Sequence, residues 1–289
     1  MIKTSVVIFL LMLTSVESLA ASWRINYPRP LSESDRRADY PLKLLALALE
    51  QTGVNYRLIA SDRILPQSKA LKRLMDNREV NVVWSMTDEQ REEQLLPIRI
   101  PIYKGLIGWR IFIIRKDMDS RFKYIQNLEH LLKLNPIQGS DWPDTKILQA
   151  NGFDVMTGSE HDALFKMLAN AQGDFFPRSV VEVWEEIKTD NPSDDFEIET
   201  KLGLRYPAAM YYFVNKNSVP LANLIRTGLE KAIQNGKFDE LFFAEHQAYL
   251  EKSELDKRTF YQLQNTYLPI KTPLHRKELW FENIEPITQ

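Results

Sequence analysis

The sequence predicts an α/β fold of two lobes joined by two crossing strands, and three observations lead to it. Strand-like and helix-like segments alternate from Trp23 onward. Two β-rich segments, WRIFIIRK (109–116) and AMYYFVNK (209–216), both end in lysine and frame a region with an alternating pattern of its own. Helical segments resume after the second of them. One lobe should therefore contain both ends of the chain, the other should be inserted into it, and a ligand cleft should lie between them.

The first lobe begins with the order strand, helix, strand, helix, strand. WRINY (23–27) has the composition of a strand. Residues 41–51 predict a helix, because Leu42, Leu45 and Leu49 share one face and Gly53 follows as a stop signal. The other predicted elements are a strand at 54–59, a helix at 66–77 and a strand at 80–84. This order is typical of a mostly parallel sheet with helices on both faces.

The inserted lobe has a similar alternation. Its predicted elements are strands at 135–139 and 173–176 and helices at 144–151, 160–170 and 180–188. After the second crossing segment, a helix runs from an N-cap at Ser218 to Gly236. The predicted boundaries are 21–112 for the first part of lobe 1, 113–212 for lobe 2 and 213–289 for the rest of lobe 1. The tail beyond Tyr249 is expected to form a strap on lobe 1.

The composition excludes several classes of function. The chain has 289 residues, a net charge of −2 and no cysteine, so it lacks a basic field for nucleic acid, a disulfide framework and a cysteine-ligated metal. Its four histidines lie far apart and lack H-x-x-x-H spacing. The sequence has no P-loop, no G-x-G-x-x-G and no G-x-S-x-G motif. We therefore expect no cofactor, no metal and no nucleic-acid partner.

The N-terminus has the features of a secretory signal peptide. Lys3 supplies a positive charge, residues 6–13 form an apolar run, and Ser18-Leu19-Ala20 places small residues at the two positions that signal peptidase reads. The apolar run is shorter than the ~20 residues of a membrane-spanning helix. A membrane anchor or a buried first strand are the alternatives. We expect residues 1–20 to be a signal peptide and the mature chain to be periplasmic, soluble and without an anchor of its own.

A polar turn follows the strand at 80–84 and reads SMTDEQR (85–91), after which LLPIRIPIYKG resumes an apolar pattern. A helix, a short strand, a Ser/Thr-rich turn with an arginine, and then Pro101 and Tyr103 occur in that order. This order resembles the extracellular solute-binding proteins of family 3, the polar amino-acid uptake type, which have a type II periplasmic binding fold. The resemblance extends over about 23–246. It implies two hinge crossovers with the ligand between the lobes.

In that family the arginine of the turn binds the ligand's carboxylate, because a planar guanidinium meets a carboxylate with two parallel hydrogen bonds. The resemblance assigns this role to Arg91, with Ser85 and Thr87 as additional donors. The turn stands about one residue out of the usual register. The alternative is an Arg91 that pairs with surface carboxylates such as Asp88.

The resemblance implies further binding residues on both lobes. QGSDWPDT (138–145) corresponds to a glycine and a hydroxyl residue at a helix N-terminus, where backbone N–H groups favour an anion. Ser140 is the candidate there, with Trp142 as a cleft wall or, alternatively, a core aromatic. Tyr27 follows the first strand, where the family often places an aromatic against the ligand.

One segment departs from the family's pattern. GDFFPRSVVEV (173–183) corresponds to the segment whose carboxylate accepts the ligand's ammonium group, but Arg178 and Ser179 stand there and Glu182 comes one helical turn later. Two arginines in one cleft favour an organic acid or a di-anion over a simple amino acid. The alternatives are an Arg178 that only begins a helix at the surface, and a Glu182 that supplies the missing charge.

These observations predict a solute-binding receptor rather than an enzyme. The expected ligand is a small carboxylate-bearing molecule, an amino acid or an organic acid, and the protein is expected to be a monomer. Its partner would be the permease of an ABC transporter or a membrane-bound sensor. An enzyme on the same scaffold, similar to a dehydratase and using Glu182 or Asp174, is one alternative. A regulatory module without ligand binding is the other.

The signal peptide gives the first testable prediction. We expect the exported protein to begin close to Ala21, because the apolar run and the small residues at 18 and 20 form a cleavage site. Intact-mass spectrometry of the exported protein measures this directly. Retention of Met1 on the exported chain would contradict it.

Overall fold

The computed structural model describes residues 22–33, 35–189 and 194–281, and the predicted signal peptide lies outside these ranges. The described residues form two α/β lobes. Among the described residues, no helix combines the length and the apolar character that crossing a membrane requires.

The elements follow the predicted alternation. The strands are β1 (Trp23–Arg29), β2 (Tyr56–Ile64), β3 (Val83–Met86), β4 (Leu96–Ile98), β5 (Trp109–Arg115), β6 (Ile137–Gly139), β7 (Met156–Gly158), β8 (Phe175–Ser179), β9 (Phe196–Ile198), β10 (Leu202–Arg205), β11 (Met210–Val214) and β12 (Thr259–Gln262). The helices are α1 (Asp39–Thr52), α2 (Gln67–Met75), α3 (Glu89–Gln94), α4 (Asp119–Phe122), α5 (Leu128–Leu131), α6 (Pro143–Ala150), α7 (His161–Ala169), α8 (Val183–Thr189), α9 (Val219–Gln234) and α10 (Lys237–Ser253).

Lobe 1 combines strands from both parts of the chain. β1 and β2 pair in parallel, and β11 lies between β3 and β4 and is antiparallel to both. The helix α1 ends at Gly53, whose φ of 72° is a left-handed conformation that suits glycine. α1 packs closely against α9, because Gly228 brings the α9 backbone against the carbonyl of Ala48.

Lobe 2 is built around β5. This strand is antiparallel to β8, β9 and β10, and β12 adds to β10 in parallel. β6 and β7 form a parallel pair that contacts β8 through a bridge from Pro136 to Phe175. Residues 111–114 of β5 are fully buried, as expected for a strand at the centre of a lobe.

The two crossovers touch each other at the hinge. The amide of Tyr206 donates to the carbonyl oxygen of Gly108 at 3.1 Å, and a Cβ on Gly108 would lie 2.0 Å from the carbonyl oxygen of Tyr206. The strand pairings move both predicted boundaries by a few residues. Trp109–Arg115 belongs wholly to lobe 2 and Met210–Val214 to lobe 1, because a strand belongs to the lobe whose sheet bonds it.

The C-terminal tail is not only a strap on lobe 1, and that part of the prediction is wrong. After α10 the chain crosses to lobe 2, where β12 bonds β10. It then returns to the first crossover, where the amide of Phe281 donates to the carbonyl oxygen of Lys104. The Lys104 ammonium binds Asp239 at 2.8 Å and the carbonyl oxygen of Glu278 at 2.6 Å. Alternation of polar and apolar residues can indicate a strand in this polar tail, but it does not indicate which sheet edge the strand will join.

The close packing of α1 and α9 generates the second prediction. We expect Gly228→Ala to lower the free energy of unfolding by about 1–3 kcal/mol, because its Cβ would lie 1.8 Å from the Ala48 carbonyl oxygen and force the helices apart. Urea denaturation measures the loss. Thr227→Ala, an exposed position on the same helix, is the control and should stay near the wild-type value. Equal stability of the two variants would show that the helices separate at no cost.

Candidate functional site

A cavity of about 210 Å³ lies between the two lobes. Several strands end at it, including β1 at Arg29, β3 at Met86, β6 at Gly139 and β7 at Gly158. Ligands of open α/β sheets bind at this end of the strands. The residues that line the cavity come from both lobes and include Arg29, Arg37, Trp84, Tyr103, Arg110, Asp141, Trp142, Asp144, Glu160, His161, Arg178 and Glu182.

Charged side chains of alternating sign form a row in lobe 2, which we call the charged row: Asp144, Arg110, Glu182, Arg178 and Glu186. The first four line the cavity, and Glu186 is buried behind Arg178. The Arg178 guanidinium binds Glu186 through two hydrogen bonds, Nε to Oε2 at 2.6 Å and Nη2 to Oε1 at 2.7 Å. Its Nη2 also lies 3.2 Å from Glu182 Oε2. Arg110 forms an ion pair with Asp144, Nη2 to Oδ1 at 2.5 Å. Neighbouring members therefore compensate each other's charge.

Burial makes these pairings necessary. Arg110 is 2% exposed, Arg178 4% and Glu186 2%. Burial alone raises the pKa of Glu186, but the charge and hydrogen bonds of Arg178 and the hydrogen bond of His161 outweigh it, and the pKa lies well below its ordinary value. Burial likewise lowers the pKa of Arg178, yet Glu182 and Glu186 raise it overall. Glu186 and Arg178 are thus held in their charged forms.

Trp142 forms one wall of the cavity. Its indole lies over Gly139, where a Cβ would stand 2.5 Å from the ring, so the strand needs a glycine there. The Arg178 guanidinium carbon lies 4.7 Å from the centroid of the indole, within the range of a cation–π contact. Trp142 therefore serves both as a cleft wall and as packing for the charged row.

Arg91 occupies the edge of the cleft and is not among the described residues that line the cavity. It lies on α3, which Asp88 caps by accepting the amide of Arg91 at 2.7 Å. Its Nη1 donates to Ser85 Oγ at 2.8 Å and to the carbonyl oxygen of Met86 at 2.6 Å. Its Nη2 donates to Gln67 and, at 3.1 Å, to the carbonyl oxygen of Asp141 in lobe 2. Arg91 thus joins the two lobes directly.

The other predicted residues divide between the cavity and its surroundings. Arg178 and Trp142 line the cavity, whereas Ser85, Thr87, Ser140 and Tyr27 do not. Ser85 accepts from Arg91, and Thr87 donates to Glu92. α6 begins at Pro143 with Trp142 as its N-cap, so Ser140 lies before the helix terminus, and its amide already donates to the carbonyl oxygen of Gly158. Tyr27 packs on Trp84 with ring centroids 6.4 Å apart.

Sequence reasoning missed Arg110 and Asp144. Arg110 stands in the apolar strand segment WRIFIIRK, where an arginine facing the cavity looks like an edge residue. Asp144 looks like an ordinary first-turn acid after Pro143. The signal that could have identified Arg110 is a charged residue inside an otherwise apolar strand, since burying it requires a partner; no comparable sequence signal marks Asp144. Among the described residues, no cluster of three or more histidines, cysteines and carboxylates could hold a metal ion.

Comparison with solved structures relates this geometry to known proteins. An arginine-specific periplasmic binding protein of Salmonella typhimurium is 13% identical, with 78% of this chain and 100% of that chain covered and a TM-score of 0.56. A putative ABC-transporter binding component of Wolinella succinogenes, complexed with lysine, is 11% identical over 81% and 100%, with a TM-score of 0.58. A histidine kinase sensor domain with similarity to periplasmic binding proteins is 15% identical over 78% and 95%, with a TM-score of 0.57.

No protein-family model matches the sequence, and no curated protein matches it significantly. The structural likenesses show the fold. The chain has the two-lobed type II periplasmic-binding-protein fold, with a cleft between the lobes, and the fold class predicted from the sequence is confirmed.

The buried pair of Arg178 and Glu186 generates the third prediction. We expect Glu186→Gln to lower the free energy of unfolding at pH 7 by about 3 kcal/mol, because it removes the charge that compensates a buried arginine. Because its pKa is lowered in the folded state, Glu186 stabilises the fold above pH 4.5, the ordinary value for glutamate. That contribution is lost as the pH falls from there toward the lowered pKa.

Urea denaturation at pH 7 and at lower pH measures both effects, and the difference between variant and wild type should shrink in acid. Glu185→Gln is the control. Glu185 lies on the same helix, and its side chain is 30% exposed and bound by Lys188 and by the hydroxyl of Tyr249. The loss of stability in this variant should stay within ~1 kcal/mol. Similar losses in the two variants would contradict a special role for the Arg178 pair.

Proposed function

We propose that the chain is an exported receptor that closes its two lobes around a small carboxylate-bearing solute. The observation that carries this proposal is the cavity between the lobes, to which both lobes contribute aromatic and charged side chains. A concave cavity on which polar and aromatic groups of two lobes converge is typical of small-molecule sites. Closure would follow a hinge motion at the crossovers, where Gly108 meets Tyr206.

The direct bond between Arg91 and Asp141 supports a closing motion. It joins α3 of lobe 1 to the loop after β6 of lobe 2. A ligand that contacts both walls would add to such contacts and shift the population toward the closed form. The receptor would deliver the ligand to the permease of an ABC transporter or signal to a membrane-bound sensor, and it would act in the periplasm as a monomer after removal of residues 1–20.

The charges that line the cavity limit the range of ligands that it would favour. Both arginines of the charged row have carboxylate partners. A di-anion would therefore gain less binding free energy from them than from two unpaired arginines. An amino acid or a mono-anionic organic acid suits this nearly compensated set of charges better than a di-anion does. Enzyme chemistry has less support. Asp174 is bound by Arg121 and by the amide of Asn135 away from the cavity, and Glu182 lies between two arginines.

A ligand screen gives the fourth prediction. We expect the mature chain to be stabilised by at least one of L-arginine, L-lysine, L-glutamate and succinate, measured by thermal unfolding. A ligand at 100 times its Kd adds ~2.7 kcal/mol to the stability of the folded state, which raises the Tm by several degrees.

The carboxamide counterpart of each compound is the control, since it keeps the size and removes the anion. Mass spectrometry of the recovered ligand separates receptor from enzyme, because a receptor returns it unchanged. Absence of any stabilisation by the four carboxylates would contradict the proposed function, and consumption of a bound compound would favour the enzyme.

A further inference from the structure

Arg110 is a buried arginine in the cavity wall with unused hydrogen-bonding capacity. It lies at the start of β5, lines the cavity and is 2% exposed. Its Nη2 forms an ion pair with Asp144, which also accepts a hydrogen bond from the hydroxyl of Tyr206. The Tyr206 ring packs beside the guanidinium, with the Cζ of Arg110 5.9 Å from its centroid. Asp144 and Tyr206 therefore fix the orientation of Arg110.

Two nitrogen atoms of Arg110, Nε and Nη1, have no hydrogen-bond acceptor among the described residues. A guanidinium carries five N–H donors, and buried donors without acceptors are rare because each one is costly to desolvate. Glu182 is the other nearby carboxylate. Its Oε2 lies 3.7 Å from Nη1, beyond hydrogen-bond distance, and 3.2 Å from Arg178 Nη2, and it too is buried without a hydrogen-bond donor among the described residues. Arg110 therefore retains two buried nitrogen donors for which the described residues supply no hydrogen-bond acceptor.

Arg91 shows the opposite situation. Its Nη1 and Nη2 donate to four protein acceptors, three of lobe 1 and one of lobe 2. A carboxylate that took its place on Arg91 would have to displace these bonds, including the one that joins the lobes. Arg91 is thus occupied by protein acceptors, whereas Arg110 still has donors without acceptors in the described part of the chain.

We infer that the ligand's carboxylate binds Arg110 on lobe 2, whereas Arg91 holds the closed lobes together through Asp141. This inference rests on the proposed function. Because the Nε and Nη1 atoms are closed off from water in the present arrangement of the lobes, we place this contact in an open form of the protein, in which the carboxylate reaches them. The ligand then docks on lobe 2 before closure.

The test compares Arg110→Gln with Arg91→Gln in the full mature chain. Calorimetry with L-arginine, L-lysine, L-glutamate and succinate, each beside its carboxamide, gives the preference of each variant for the carboxylate. Wild type should prefer the carboxylate of its ligand by about 30-fold, as expected for a desolvated charge pair. Arg110→Gln should abolish this preference. Arg91→Gln should keep it while weakening carboxylate and carboxamide by the same factor, because closure affects both.

The outcomes separate the inference from the function on which it rests. Loss of the preference in Arg91→Gln with its retention in Arg110→Gln overturns the inference, as does wild-type binding without any preference. Failure of the wild type to bind any of the eight compounds overturns the proposed function itself. If Arg110→Gln does not fold, the double variant Arg110→Gln/Asp144→Asn removes the ion pair as a unit and should show the same loss. Unfolding of both variants would make Arg110 a structural residue and overturn the inference.

Discussion

The two hydrogen bonds between Arg178 and Glu186 are the interaction on which the charged row of the cleft depends. They hold a buried cation in lobe 2 and place its guanidinium against the indole of Trp142. Glu182, drawn to Arg178, stays beyond hydrogen-bond distance from Arg110. An isolated charge at this depth would be very unfavourable, so each member of the charged row depends on its neighbours. The cavity wall is therefore polar without carrying a large net charge.

Much of the fold could be predicted from the sequence because it follows from local patterns. The leucine stripe of α1 and its stop at Gly53 locate that helix, and the crossing segments at 109–116 and 209–216 mark the lobes. What could not be predicted is which strand bonds which neighbour. β11 pairs with β3 and β4, and β12 joins the far lobe, because strand pairing depends on contacts between residues distant in the chain.

The site was predicted less well than the fold, for a related reason. Arg178 and Trp142 were expected at the cleft and line it, but the partners that determine what Arg178 can bind are a helix away in sequence. Glu186 looks like one of two adjacent surface acids, Glu185 and Glu186, until α8 turns one of them inward. A resemblance to a family indicates which positions of the chain correspond to binding residues. It does not indicate whether the hydrogen-bond donors at those positions already have acceptors within the folded protein. Arg91 illustrates the difference.

The return of the C-terminal chain to lobe 2 changes the mechanics of the hinge. The two crossovers lie against each other at Gly108 and Tyr206, and connections so closely spaced restrict neither bending nor twisting of the lobes strongly. β12 adds a further covalent connection on another edge, and Asn265 ties the segment after it to Pro207 at the second crossover. Connections that are spaced farther apart resist twisting of one lobe against the other more than they resist bending at the hinge. We therefore expect the lobes to open mainly about one axis, so that each opening exposes the same wall of lobe 2 to the solvent.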